Sequence, residues 1–154
     1  MELDSLYQQV ILDHYKSPKH KGLNSEKSIE VHHVNPSCGD ELTLNLLLED
    51  DRVTAISWDG VGCSISQASI SMMTELVLGK RTTESFSILD NFTELMMSKG
   101  TKTGDEAILE DAISLAGVSK FPARVKCALL GWMAFKDAIF QARTKEINRW
   151  PKQL

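Results

Sequence analysis

The hydrophobic period of this chain changes once along its length, and that change limits the fold more than any other feature. Over residues 41–49, Leu42, Leu44, Leu46 and Leu48 alternate with other residues, which puts all four on one face of a strand. Residues 28–34 and 52–58 are also rich in strand formers, with Val53, Ala55 and Ser57 expected opposite Thr54, Ile56 and Trp58. Glu49-Asp50-Asp51 is a polar turn between the last two stretches, and Asn35-Pro36-Ser37-Cys38-Gly39-Asp40 is a turn-rich loop between the first two. A three-stranded antiparallel meander follows.

From residue 64 the period is helical. Ile65, Ala68, Met72 and Leu76 form one stripe closed by Gly79, and Phe86, Leu89, Phe92 and Met96 form another closed by Gly100. Asp105 can cap a third helix with Ile108, Leu109, Ala112 and Ala116 inward. Pro122 opens a last helix that runs to about residue 145, with Val125, Leu129, Trp132, Phe135 and Ile139 on its core side. An amphipathic helix over residues 3–15, ended by Ser17-Pro18, precedes the strands. Strands followed by helices is the α+β pattern, and 154 residues with no linker or repeat predict a single domain, residues 1–154.

Composition excludes several function classes. With 17 Lys+Arg against 21 Asp+Glu the formal charge is -4, and the basic residues do not cluster, so neither nucleic acid nor an anionic membrane is an expected partner. No apolar run approaches the ~18 residues of a membrane span. The acidic start Met1-Glu2-Leu3-Asp4 lacks the layout of a secretory signal, so a cytoplasmic protein is expected.

Three cysteines at wide spacing, Cys38, Cys63 and Cys127, make a poor disulfide framework. They are either small buried hydrophobes or a site of metal or sulfur chemistry. Their positions argue for the second. Cys38 lies in the first inter-strand loop, where Gly39 lets its thiol and the Asp40 carboxylate converge; Cys63 falls at a helix start, and Cys127 about one turn into the last helix. Helix N-termini and neighbouring cations, here Arg124 and Lys126, favour thiolate over thiol. Three thiolates and one carboxylate form a tetrahedral ligand set that Zn(II) accepts, although no C-x-x-C pair anchors it. The histidines carry less: His14 is expected to pack on its helix, and His32 and His33 point to opposite faces of a strand. The methionines and tryptophans are core material.

Four stretches resemble a known family: Tyr7-Gln8-Gln9-Val10-Ile11-Leu12-Asp13-His14-Tyr15, Asn35-Pro36-Ser37-Cys38-Gly39-Asp40, Gly60-Val61-Gly62-Cys63-Ser64-Ile65-Ser66 and Arg124-Val125-Lys126-Cys127. In that order they are similar to the NifU/IscU-like iron–sulfur cluster assembly proteins, and more narrowly to the SufU branch. The resemblance implies a SufE/NifU-like α+β fold with the metal site at one exposed end, and zinc held by Cys38, Asp40, Cys63 and Cys127. It implies a SufS-type cysteine desulfurase as partner, downstream cluster assembly machinery, and Cys38 as acceptor of persulfide sulfur, freed when a desulfurase histidine replaces it on the metal. Unlike IscU scaffolds, this chain has Lys126 where they carry histidine, and Phe121-Pro122-Ala123-Arg124 in place of their Leu-Pro-Pro-Val-Lys motif. Its stretch between Cys63 and Cys127 is longer, with a SufU-type insertion expected around residues 80–104.

The expected function is that of a zinc-dependent sulfur acceptor with sulfurtransferase-like chemistry. The alternatives are a scaffold that assembles a transient [2Fe–2S] cluster on the same ligands, and a purely structural zinc domain.

Overall fold

In the computed structural model, which describes residues 5–37 and 39–149, α1 (Ser5–Lys16) leads into three strands, β1 (Ile29–Asn35), β2 (Asp40–Glu49) and β3 (Arg52–Val61). They form one antiparallel sheet in the order β1-β2-β3. α2 (Ser64–Val77), α3 (Thr82–Met97), the single turn α4 (Glu106–Leu109), a 3-10 stretch (Glu110–Lys120) and the long α5 (Pro122–Arg149) follow. This is the α+β architecture expected from the change of period.

The alternating leucines of β2 all point into the core, at 0 to 3% exposure. Trp58 and Ile56 lie beside Leu44 and Leu46 on the same face. Val53 departs from the expected alternation. Leu47 pairs with Ala55 but Leu48 pairs with Val53, so Thr54 is an extra residue in β3. This bulge turns Val53 inward beside Leu48, on the same side as Ile56 rather than opposite it. The β2–β3 turn uses Asp50 and Asp51, both with positive φ, as a tight hairpin of the right twist requires. The segment before β1 covers the free edge of β3: Gly22 donates to Trp58 O, the Trp58 amide donates to His20 O, and the Trp58 indole donates to Lys19 O.

α2 is more than amphipathic. Apart from Ser64 and Glu75 it is buried on every side, because α1 and α5 pack against it. Its small residues permit that, and Ser69 and Ser71 also take polar partners on the two neighbours. Ser69 Oγ donates to Ala128 O and accepts from the Trp132 indole, while Ser71 Oγ lies 2.7 Å from His14 Nδ1. α5 in turn lies across β1 and β2.

The expected helix after Asp105 starts as predicted, with the Asp105 side chain accepting from the Ala107 amide, but it lasts one turn. At Glu110 the backbone takes φ 46 and ψ -124, and the chain continues as a 3-10 helix. Ala112, Leu115 and Val118 are buried at every third position, as suits three residues per turn, and Ser114 and Ser119 are buried with them.

Candidate metal centre

Three elements meet at the end of the sheet where β2 begins. Asp40 is the first residue of β2, paired with Asn35 across the loop that carries Cys38. Asn35 holds this loop from both of its groups: its backbone carbonyl accepts from the Gly39 amide at 2.9 Å and its side-chain oxygen from the Ser37 amide at 3.2 Å. Gly39 sits at φ +73, so the reversal that brings Asp40 into the strand uses a conformation side chains disfavour.

Cys63 is the N-cap residue of α2, with extended backbone, and its side chain makes no capping hydrogen bond. Its amide instead donates to Asp40 Oδ1 at 3.0 Å, and its carbonyl accepts from Ser66 Oγ at 3.0 Å and from the Gln67 amide. The peptide that carries the thiol is therefore fixed on both sides. Cys127 lies in the second turn of α5, with Sγ 3.6 Å from Ala123 O. The crossing of α2 and α5 brings it toward Cys63.

One donor atom each from Asp40, Cys63 and Cys127 lies within 4.8 Å of the others. Asp40 and Cys127 are buried, at 0% and 1% exposure, and Cys63 is partly exposed. Two sulfurs and a carboxylate oxygen this close suit Zn(II), whose bonds of about 2.3 Å to sulfur and 2.0–2.2 Å to oxygen set tetrahedral ligands about 3.5–4 Å apart. Tetrahedral zinc takes four donors, and Cys38, expected as the fourth, lies outside the described residues.

Arg124 and Lys126, expected to moderate the charge of the site, both occupy exposed positions near the start of α5. No histidine belongs to the cluster among the described residues. His14 is buried, as its place on the apolar face predicts, with Nε2 2.9 Å from Asp111. His32 contacts Glu41 and Thr43, and His33 contacts Asp137. Sequence reasoning missed Asn35, Gly62 and Ser66 as parts of this arrangement. Asn-Pro before the cysteine loop was an available turn signal for the first. For Gly62 there was none, because Asp40 lies on another element, while Ser66 bonds within its own helix start, to the Cys63 carbonyl three residues earlier.

A small α+β domain that gathers thiols and a carboxylate where a strand and two helices begin defines a class of metal- or sulfur-handling proteins. Residues 6–128 match the family model described as NifU-like N terminal domain, and the chain belongs to that family. It is 45% identical over 137 residues to the zinc-dependent sulfurtransferase SufU of Bacillus subtilis, covering 89% of this chain and 91% of the relative. It is 40% identical over 139 residues to the iron-sulfur cluster assembly scaffold protein IscU of Streptococcus pyogenes, covering 90% and 85%. Among solved structures, a putative iron-sulfur cluster assembly scaffold protein for the SUF system from Fervidobacterium islandicum superimposes with a TM-score of 0.73 at 34% identity, over 85% of this chain and 94% of that one. Among the described residues no helix is long and apolar enough to cross a membrane.

Proposed function

We propose that this chain serves iron–sulfur cluster biogenesis as a zinc-dependent sulfur acceptor that takes persulfide sulfur from a cysteine desulfurase. The observation that carries the reading is the convergence of Asp40, Cys63 and Cys127, two thiols and a carboxylate in one cluster. It is supported by 45% identity to a relative named as a zinc-dependent sulfurtransferase. In this reading Cys38, Asp40, Cys63 and Cys127 hold zinc, which when bound keeps the thiols deprotonated and in register. Residues 80–104 are then the insertion of the SufU branch, and Arg124 and Lys126 supply positive charge beside an anionic ligand set.

The transfer itself is a displacement at sulfur. The Cys38 thiolate attacks the outer sulfur of the desulfurase persulfide, a new S–S bond forms, the old one breaks, and the enzyme cysteine leaves as thiolate. No net oxidation occurs, and the persulfide now resides on Cys38. A protein of this kind works in the compartment of its desulfurase, which for this chain is the cytoplasm.

A second reading is favoured by the relatives named as scaffolds: the same residues would build a [2Fe–2S] cluster as cargo. Metal analysis of the freshly purified protein, followed by anaerobic reconstitution with iron and sulfide, separates the two. About one zinc per chain that survives reconstitution without a visible chromophore supports sulfur transfer. Iron with acid-labile sulfide and displaced zinc supports the scaffold. Under sulfur transfer, Cys38→Ala should stay folded and lose activation of the desulfurase; normal activation would remove Cys38 from the role of acceptor.

A further inference from the structure

Gly62, immediately before Cys63, is not in the left-handed region of backbone space, so no conformational demand explains a glycine there. The demand is for space. A Cβ at this position would fall inside van der Waals contact of Asp40 Oδ1, 2.5 Å from Ser66 Oγ and 3.0 Å from Asp40 Cγ. Both neighbours are fixed. Asp40 and Ser66 are buried at 0% exposure, Asp40 Oδ1 accepts the Cys63 amide, and Ser66 Oγ donates to the Cys63 carbonyl. A methyl group cannot be accommodated by rotating a flexible side-chain end, because the atoms it meets are those that hold the Cys63 peptide.

We propose that Gly62 is a positioning residue of the metal centre: its missing side chain leaves the slot in which the Asp40 carboxylate packs on the Cys63 amide, with Ser66 as the opposite wall. Gly62 thereby sets where the carboxylate presents its remaining lone pairs to the two thiols. The inference rests on the reading of Asp40 as a ligand, and its test separates the two. Residues that orient metal ligands without touching the metal typically change affinity about ten- to a hundredfold when altered.

The test is a mutant cycle on metal affinity, with Zn(II) alone as the probe, titrated against a chromophoric chelator, and with Co(II) absorption reporting the ligand geometry. Gly62→Ala is expected to weaken Zn(II) binding about tenfold or more and to shift the Co(II) d–d bands. In an Asp40→Ala, Ser66→Ala background, where both side-chain groups that the methyl meets are gone, the same substitution should change affinity by less than about twofold, since residues acting through one contact are non-additive. Equal losses in both backgrounds would overturn the positioning role and leave Asp40 as a ligand. No loss from Asp40→Ala alone would overturn the ligand assignment, and the inference with it. If Gly62→Ala by itself does not fold, Asp40→Ala combined with Ser66→Ala must restore folding by removing both clashes, as read by circular dichroism, and failure to do so refutes the proposal.

Discussion

The helices that carry the two described cysteines cross at Gly131, and the closeness of that crossing can be measured by filling it. A Cβ on Gly131 would stand 2.5 Å from Ile70 Cγ1 and 3.3 Å from Ile70 Cβ, and Ile70 is fully buried. Two effects oppose each other in Gly131→Ala. The helix interior gains about 1 kcal/mol from losing a glycine. Against it stands overpacking of a filled core, about 1–3 kcal/mol, and a β-branched side chain on a helix has one dominant rotamer and cannot swing away. The second effect wins, for a net destabilisation of about 1 kcal/mol. Ile70→Ala costs about 2–5 kcal/mol on its own but removes Cγ1 and the clash with it. In that background Gly131→Ala keeps only the helix gain and should stabilise by about 1 kcal/mol, so the sign inverts and the coupling is about 2 kcal/mol. Urea unfolding of the four proteins in chelator, with unchanged m-values, measures this. A Gly131→Ala protein stabilised by the full helix gain, or a cycle additive within about 0.5 kcal/mol, would refute the close crossing.

Other consequences are independent of that crossing. Ser69→Ala removes the acceptor of the fully buried Trp132 indole and should cost about 1–3 kcal/mol in thermal unfolding, with part recovered when Trp132→Phe removes the orphaned donor as well. His14→Ala cuts the tie from α1 to Ser71 and Asp111; it should cost about 1–3 kcal/mol and speed hydrogen exchange along Ser5–Lys16 before it does so in β2. The Asp137 carboxyl is held below its ordinary value of 3.8, chiefly by the hydrogen bond from His33 and then by that from Gln141, against a smaller opposing effect of burial. A carboxyl with a depressed folded pKa contributes stability that is complete above the unfolded value and is lost as pH falls through the folded one. Asp137→Asn should therefore lower the unfolding midpoint near neutrality and lose that effect at pH well below 3.8, and an equal effect at both pH values would contradict this.

The elements were legible where one physical signal dominated. The leucines of β2 had no other reading, and Pro122 and Gly79 marked helix ends by their chemistry alone. Legibility failed where a residue answers to a partner on another element. Thr54 reads as one more alternating position, yet the Leu48–Val53 pairing makes it a bulge. Residues 110–120 contain both an α-like and a three-residue spacing, and the chain takes the 3-10 form after the backbone break at Glu110.

The candidate site divides along the same line. That Cys63 and Cys127 stand at helix starts could be read from the chain, because a cap is a local event. That their sulfurs meet the Asp40 carboxylate was expected from the residue types and the family resemblance and not from any local pattern, because the meeting depends on Gly131 and Ser69 drawing α5 onto α2. Gly62 is the clearest case. Written beside Gly60 it looks like loosened backbone before a helix, and the two glycines do serve one purpose, but the purpose is proximity: Gly60 lies against the Glu41 carbonyl and Gly62 against Asp40. Both keep the end of β3 close to the start of β2, so the approach of the two strands and the approach of thiol to carboxylate are one packing requirement. A side chain at either position should loosen the cluster of Asp40, Cys63 and Cys127 through the sheet, even though neither glycine belongs to it.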